Sequence, residues 1–213
     1  LEQGIDFFSK KYQCDGFVAF FQGGTNTYAR ADQLKKLFDE ALAFDKIQGM
    51  IISTRPDCLS RECLCLLKEY AEKCRLKVEI GIESCNDQIL ESVDRGHSFA
   101  QSMQAISKLA ELNIDVSGHI ILGLPHESRQ SMLSGARQLS SLHLKSLKIH
   151  HFQIIEGSTF ADEYNLTPQI FRLFTFNEYL DLLSEFLTFL NPDIEIDRIL
   201  SRVPRNYLAA PIW

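Results

Sequence analysis

The sequence has no long hydrophobic run: no apolar stretch approaches the about 20 residues that a membrane-spanning helix needs. It also shows no signal peptide at its N-terminus, where Leu1-Glu2-Gln3-Gly4 is not an initiator sequence. We therefore expect a cytoplasmic protein with no membrane partner, and a chain that lacks the true start of its protein. The chain has 213 residues, of which 45% are hydrophobic and 23% charged, so it is long enough to bury a sizeable core.

Positive charge is scarce, with 22 Lys and Arg against 28 Asp and Glu, which gives a net charge of -6. This balance argues against a protein held on nucleic acid by bulk electrostatics. The sequence does not exclude a nucleic-acid substrate that binds at a local site, although the net charge gives this no support.

Recognisable cysteine motifs are also missing. Without a secretory signal a disulfide framework is not expected, and the spacing of the cysteines offers no C-x2-C pairs for a zinc site. We therefore expect reduced cysteines. They are Cys14, Cys58, Cys63, Cys65, Cys74 and Cys85.

What is present is a regular alternation of strand-like and helix-like runs, with about 30 residues between strand starts, the length of a βαβ unit. Strands are predicted over 16–22, 49–54, 77–83, 115–123, 146–155 and 194–200. Helices are predicted over 31–44, 60–74, 129–142 and 177–191, and in a helical stretch that has Asp87 and Ser98 as N-caps and ends near Asn113. Strands that alternate with helices in this way form a parallel sheet.

The polarity of the strands favours a barrel over an open sheet. Val78, Ile80 and Ile82 form one face of a strand, while Glu79, Gly81 and Glu83 form the other. A sheet with one polar face is typical of a wide or incomplete barrel, whose chemistry lies at the carboxyl ends of its strands. The predicted fold is α/β, a partial parallel (β/α)6 barrel of the TIM type over residues 1–200, followed by an irregular tail over 201–213.

Polar residues cluster at these strand ends, and each has a structural alternative. Gly23 and Gly24 permit close approach of a ligand, or simply form a turn. Arg55 and Asp57 end a second strand and could be a structural ion pair. Glu127 is a candidate for the site or an acid in the first turn of a helix.

Glu83 closes another strand, with Arg95 about two helical turns later. A carboxylate can accept ribose hydroxyls and a guanidinium can bind a carboxylate through two bonds, or the two can pair locally. The adjacent His150 and His151 point to opposite faces, as core histidines or as a metal ligand.

Five segments, in this order and spacing, resemble the radical S-adenosylmethionine (radical SAM) superfamily, and most closely its YhcC-like branch, which is related to the elongator-acetyltransferase radical SAM domains. They are FQGGTNTYA, STRPDCL, VEIGIESCNDQILESVDRGH, HIILGLPHES and IHHFQIIEGS. The resemblance covers about residues 5–200.

The resemblance implies that S-adenosylmethionine (SAM) lies across the strand ends. By position, Gly23, Gly24 and Thr25 match the segment that meets the methionine amino group, although the family has glutamate where Thr25 stands. Glu83 and Ser84 match the ribose contact, Arg95 the carboxylate contact, and Gly123 and the strand from His151 to Ile154 the adenine contacts. The full set of expected SAM-binding residues is Gln22, Gly23, Gly24, Thr25, Asn26, Arg55, Asp57, Glu83, Ser84, Arg95, His119, Gly123, His151 and Gln153, with no metal ligand and no catalytic residue assigned.

One departure from the family outweighs the others. The family binds a 4Fe-4S cluster through C-x3-C-x2-C ahead of the helix that precedes GFVAFFQ, and no such triplet occurs here. We therefore expect the cluster loop and the first strand to be absent from this chain, and the chain alone to bind no cluster and to be inactive.

The function that the resemblance implies is reductive cleavage of SAM to a 5'-deoxyadenosyl radical, which abstracts hydrogen from an unknown substrate. An electron donor such as a flavodoxin or a ferredoxin is the implied partner. Two alternatives stay open: a metal-dependent barrel hydrolase that uses His119, His150, Glu83 and Asp57, and a non-catalytic SAM-binding domain.

Overall fold

Six parallel strands form the central sheet of the computed structural model, which describes residues 1–213. The first five strands of the chain lie side by side in chain order, and the strand Glu195–Arg198 pairs with the fifth, so that it and the strand Phe17–Phe21 form the two open edges. The partial parallel barrel is thus confirmed. The strands are β1 (Phe17–Phe21), β2 (Ile47–Thr54), β3 (Arg75–Glu83), β4 (Asp115–Leu122), β5 (Ser146–His151), β6 (Ile154–Ile155), β7 (Glu195–Arg198) and β8 (Leu208–Ala210).

Helices connect the strands and cover one face of the sheet. Most begin at a serine or threonine whose side chain accepts a backbone N–H of the first turn, which satisfies a donor that the helix leaves free. They are α1 (Glu2–Tyr12), α2 (Ala31–Leu42), α3 (Arg61–Ala71), α4 (Asp87–Ser92), α5 (Phe99–Glu111), α6 (Arg129–Leu139), α7 (Thr159–Leu166) and α8 (Phe176–Thr188).

The helical stretch after β3 is two helices. Ser98 caps α5, as predicted, but the cap of α4 is Asn86 and not Asp87. The Asp87 carboxylate instead accepts the N–H of Phe99 at 2.6 Å, and so ties the start of α5 to α4.

The two faces of the sheet differ as the alternation predicts. Val78, Ile80 and Ile82 are fully buried in the core on the helix side. The side chains of alternate residues, such as Glu79 in β3 and Lys148 in β5, meet each other on the inner face. The curled sheet therefore encloses polar groups.

The predicted strand 146–155 is wrong in its second half. β5 ends at His151, and Ile154–Ile155 pairs antiparallel with Leu208–Ala210 in a separate two-stranded sheet. The tail expected to be irregular therefore supplies a strand. Phe152 leaves the sheet because it packs with Phe160 and Phe171 in a second apolar cluster.

None of the helices combines the length and the apolar composition that crossing a bilayer requires.

Candidate functional site

A cavity of 310 Å³ opens on the inner face of the sheet, towards the carboxyl ends of the strands. None of its 13 lining residues is hydrophobic, so it suits a polar, charged ligand. The lining residues are Gln22, Gly24, Thr25, Ser53, Thr54, Arg55, Glu79, Gly81, Glu83, Arg95, His119, Lys148 and His150.

Glu83 owes its position to an irregular end of β3. The register between β3 and β4 shifts between Gly81 and Glu83, and Glu83 has a φ of 63°, in the left-handed region that disfavours non-glycine residues. The N–H of Ser84 donates to the Ile82 carbonyl at 2.9 Å, across Glu83 alone. Such strained backbone is typical of functional sites.

The Glu83 carboxylate has two basic partners. Its Oε1 lies 3.0 Å from Arg95 Nη2 and its Oε2 lies 2.8 Å from His119 Nδ1. Gly81 makes room for the pair, because a Cβ there would lie 2.4 Å from Arg95 Nη2 and 2.7 Å from Glu83 Oε1. Arg95 also donates to the Gly81 carbonyl at 3.4 Å.

These partners decide the charge of Glu83. Burial would raise the pKa of its carboxyl, but the nearby His119 and Arg95 outweigh burial and lower that pKa below its ordinary value. Glu83 is therefore ionised at neutral pH.

His119 connects Glu83 to His150. Its Nε2 lies 3.0 Å from His150 Nδ1, and the two rings meet edge to face at 4.5 Å between centroids. Burial, and next the positive charge on neighbouring groups, lowers the pKa of His150 to about 3. His150 is therefore neutral at physiological pH.

The floor of the cavity is a buried ion pair. Lys148 Nζ contacts the Glu79 carboxylate, whose other oxygen accepts the Ser53 hydroxyl at 3.0 Å. The Lys148 ammonium also lies 5.0 Å from the centroid of the Phe20 ring. Both charged side chains are almost fully buried, at 11% and 12% exposure.

Arg55 at the rim forms the ion pair that the sequence left as an alternative. It binds Asp57 through two bonds of 2.9 and 2.8 Å and donates to the Gly96 carbonyl at 3.2 Å. The pairing lowers the pKa of the Asp57 carboxyl. The Arg55 side chain lines the cavity, whereas Asp57 lies outside it.

Seven of the fourteen expected SAM-binding residues line the cavity and seven do not. The first group is Gln22, Gly24, Thr25, Arg55, Glu83, Arg95 and His119. The second group is Gly23, Asn26, Asp57, Ser84, Gly123, His151 and Gln153.

Several residues of the second group have structural partners. The Asn26 amide donates to the carbonyls of Phe21 and Ser53, which ties the loop after β1 to β2. Ser84 is buried and donates to Glu127 at 2.7 Å. A Cβ at Gly123 would lie 2.5 Å from the Phe174 ring.

His151 points away from the cavity. Its ring lies 5.3 Å from that of Tyr179 and 4.4 Å from that of Trp213, and its Nδ1 accepts the Ser201 N–H at 3.3 Å. Gln153 differs, because its Oε1 is buried with no hydrogen-bond partner.

Comparison with known families identifies the superfamily of this chain. The profile of the Radical SAM superfamily matches residues 4–138, which is more than half of the chain, and that of the Radical SAM C-terminal domain matches residues 144–213. The chain belongs to the radical SAM superfamily.

Curated relatives align over almost the whole chain. Protein MJ0486 of Methanocaldococcus jannaschii is 35% identical over 96% of this chain, YtqA of Bacillus subtilis is 30% identical over 96%, and YhcC of Escherichia coli is 28% identical over 92%. The alignments cover only 63% of the length of each relative.

Solved structures share the fold at low sequence identity. Elp3 from the archaeon Methanocaldococcus infernus, with an N-terminal deletion, superposes with a TM-score of 0.82 at 18% identity, over 97% of this chain and 53% of that one. Coproporphyrinogen III oxidase (HemN) from Escherichia coli, a radical SAM enzyme, superposes with a TM-score of 0.62 at 19% identity, over 81% and 39%.

The cysteines of this radical SAM chain do not fit a 4Fe-4S cluster. All six are free thiols, and no group of three or more His, Cys, Asp or Glu side chains is placed to hold a metal ion. Burial raises the pKa of the Cys63 thiol to about 11, which disfavours the thiolate that a cluster needs.

The wall of the cavity offers polar atoms to a ligand. Arg95 Nε and His150 Nε2 are buried in its wall with no hydrogen-bond partner. Unpaired buried polar groups are costly, so their place in the cavity wall points to ligand atoms as their partners.

Six lining residues were not among the expected SAM-binding residues, and four of them lie on strand faces that the alternation marked as the inner face. Glu79, Gly81, Lys148 and His150 lie on the inner parity of their strands. The sequence signal for these four residues was the alternation of inward and outward side chains along a strand. It places each of them beside a strand-end residue that was already predicted to bind SAM. Ser53 and Thr54 were missed as well, because they read as part of an apolar strand.

Glu127 beside the site predicts a pH-dependent stability. Burial raises the pKa of its carboxyl to about 7, although the Ser84 and Ser131 hydroxyls oppose the shift. The folded state therefore binds more protons than the unfolded state, whose carboxyl titrates near 4.5. The stabilisation is complete below the unfolded value and is lost as the pH rises through about 7.

We expect the free energy of unfolding to fall by about 1 kcal/mol between about pH 6 and pH 7.5, from the proton uptake of this one group. The Glu127→Gln variant keeps an amide of similar shape and should not show this fall. Urea unfolding at the two pH values measures it, with exposed Glu91→Gln as the control. An identical pH dependence in the Glu127→Gln variant would show that Glu127 is not the group responsible.

Proposed function

We propose that this chain is the SAM-binding part of a radical SAM enzyme. The observation that carries the proposal is the meeting of Arg95 and Glu83 in a cavity without apolar lining, with Arg95 Nε unpaired. A guanidinium suits the carboxylate of SAM, and a carboxylate suits the hydroxyls of its ribose. The two side chains lie side by side, so both can reach one bound molecule.

The other lining residues take supporting parts in this proposal. Gln22, Gly24 and Thr25 lie after β1, where they meet the amino group of SAM. Arg55 closes the rim, while His119 holds Glu83 ionised and oriented through its Nδ1. Gly123 and Gln153 stay predictions for the adenine end, and the unpaired Oε1 of Gln153 suits a donor of the ligand.

The cluster of the proposed enzyme is held by residues outside 1–213, because the cysteines of this chain do not come together. In a radical SAM enzyme the cluster supplies the electron that cleaves SAM, and a flavodoxin or a ferredoxin is the proposed electron donor. The residues of this chain bind and orient SAM and exclude competing chemistry.

The alternatives have less support. A metal-dependent hydrolase needs donors that converge on one point, whereas Glu83, His119 and His150 stand in a row and Asp57 is occupied by Arg55. Only a measurement of the reaction product distinguishes a non-catalytic SAM-binding domain from an enzyme.

That measurement is the formation of 5'-deoxyadenosine. The protein, expressed with any residues that its gene encodes upstream of Leu1 and reconstituted anaerobically with iron and sulfide, is given SAM and dithionite. We expect 5'-deoxyadenosine and methionine in equal amounts, and none from residues 1–213 alone. SAM binding without 5'-deoxyadenosine would establish the non-catalytic domain instead.

A further inference from the structure

Glu83, His119 and His150 form a continuous row across three neighbouring strands. Gly81 of β3 is in register with His119 of β4, and Ile121 of β4 with His150 of β5. The inward side chains therefore follow one another along the sheet. The row runs from Glu83 Oε2 to His119 Nδ1 at 2.8 Å, and from His119 Nε2 to His150 Nδ1 at 3.0 Å.

The ionised carboxylate fixes the proton positions in this row. His119 Nδ1 lies only 2.8 Å from an oxygen of the ionised Glu83 carboxylate, a distance at which an unprotonated nitrogen would repel that oxygen, so His119 Nδ1 carries a proton. The bond between the two rings then has two arrangements. Either His150 Nδ1–H donates to His119 Nε2 and leaves His150 Nε2 as a free base, or a doubly protonated His119 donates to His150 Nδ1 and His150 Nε2 carries the proton.

The second arrangement holds one more proton than the first, and that proton enters at His150 Nε2, the end of the row that is remote from Glu83. When His150 Nε2 gains a proton, the proton on His150 Nδ1 passes to His119 Nε2. The positive charge then stands on His119, beside the Glu83 carboxylate, and His150 is neutral before and after.

The surrounding charges favour this placement. Burial is the main reason that a charged His150 is disfavoured, and positive charge on His119, on Arg198 of β7 and on Lys148 of β5 adds to its effect. His119 has Glu83 in direct contact, which compensates a positive charge there, while Arg95 on the other side of Glu83 keeps the carboxylate ionised.

We propose that Glu83, His119 and His150 are a proton relay, which takes a proton from a polar substrate in the cavity at His150 Nε2 and stores the charge on His119. In the step, a heteroatom–hydrogen bond of the substrate breaks and its electron pair stays with the substrate. An N–H bond forms at His150 Nε2, and the Nδ1 proton of His150 moves to His119 Nε2. The step is a proton transfer, and neither the substrate nor the protein changes its oxidation state.

The proposal goes beyond SAM binding and names the substrate class as a polar molecule with an ionisable hydroxyl or ammonium group. Its test uses neither SAM nor a cluster, so its failure is independent of the proposed function. The test is a pH titration of protein labelled with ¹⁵N in the histidine rings, in which NMR reports which nitrogen of each ring carries a proton.

We expect His150 to switch from the Nδ1–H to the Nε2–H form as the pH falls, at the same midpoint at which His119 becomes doubly protonated. Substitution of Glu83 by glutamine removes the countercharge and should lower that midpoint by about one pH unit or more. Substitution of the exposed His143 by glutamine should leave it unchanged.

Three outcomes overturn the relay: a His150 ring that becomes doubly protonated while His119 still carries one proton, separate midpoints for the two rings, or no change of form at His150 throughout the pH range in which the protein is folded. The wild-type titration decides between these outcomes and the expected one even if the Glu83→Gln variant does not fold.

Discussion

Replacing Lys148 by alanine is expected to lower the free energy of unfolding by about 3 to 5 kcal/mol. Its ammonium is paired with Glu79 at the floor of the cavity, and both side chains are only about a tenth exposed. Removing the cation leaves a buried carboxylate with the Ser53 hydroxyl as its one remaining partner. Urea unfolding monitored by circular dichroism measures the loss.

Two further variants separate the charge from the packing. The double variant Glu79→Gln with Lys148→Met removes both charges while it keeps the volume, so it should regain most of the lost stability. The control is Lys145→Ala, three residues before Lys148 in the sequence. It removes an exposed lysine that pairs with Glu195, and should change stability little. Equal stability of Lys148→Ala and wild type would show that the pair is solvated.

The buried pair also shows what kind of barrel this is. Below it, Lys77 lies 3.6 Å from Asp197, which accepts the hydroxyls of Ser117 and Ser146. Polar layers thus fill the inner face from the start of the strands to the cavity. An apolar interior would have packed the barrel shut, whereas charged layers leave a ligand-sized polar space at the strand ends.

The sequence predicts this architecture well because its signals are local. The 30-residue rhythm gives the order of the parallel strands, and the alternation of Ile80 and Ile82 with Glu79 and Glu83 gives the polar inner face. The pairing of Ile154–Ile155 with residues 208–210 was missed, since antiparallel pairing between short segments that are far apart in the sequence produces no periodic pattern.

The site was predicted less well for a geometrical reason. Parity holds along a strand but fails where the strand ends. Glu83 keeps the inward direction of Glu79 and Gly81 although the register shifts at the end of β3, whereas Ser84 after it turns to Glu127. His151 has the outward parity of β5, so its neighbour His150, and not His151, reaches the cavity.

Substitution of Arg95 by alanine is expected to weaken SAM binding by about 2 to 4 kcal/mol, or about 30-fold or more. The guanidinium is three-quarters buried beside Glu83 and keeps Nε free for a ligand carboxylate. Glu83→Ala should weaken SAM binding similarly. It should also lower the stability of the protein, because His119 loses the carboxylate that it contacts.

The matched control is Arg30→Ala, which removes an arginine that is 81% exposed and pairs only with Asp32 on the same turn. Its SAM affinity and melting temperature should equal those of the wild type. A normal SAM affinity in both Arg95→Ala and Glu83→Ala, together with a much lower melting temperature, would make the pair structural and the site assignment wrong.

The most direct test of the account compares two ligands on two proteins by isothermal titration calorimetry. SAM carries both a ribose and a methionine carboxylate, whereas 5'-methylthioadenosine has the ribose without the carboxylate. We expect Arg95→Ala to weaken SAM binding by about 30-fold or more and to leave the affinity for 5'-methylthioadenosine within about twofold of the wild-type value, since this ligand has no carboxylate for Arg95 and His119 still holds Glu83 for the ribose. Equal weakening of both ligands, or no binding of SAM by the wild-type protein, would contradict the assignment of this cavity to SAM.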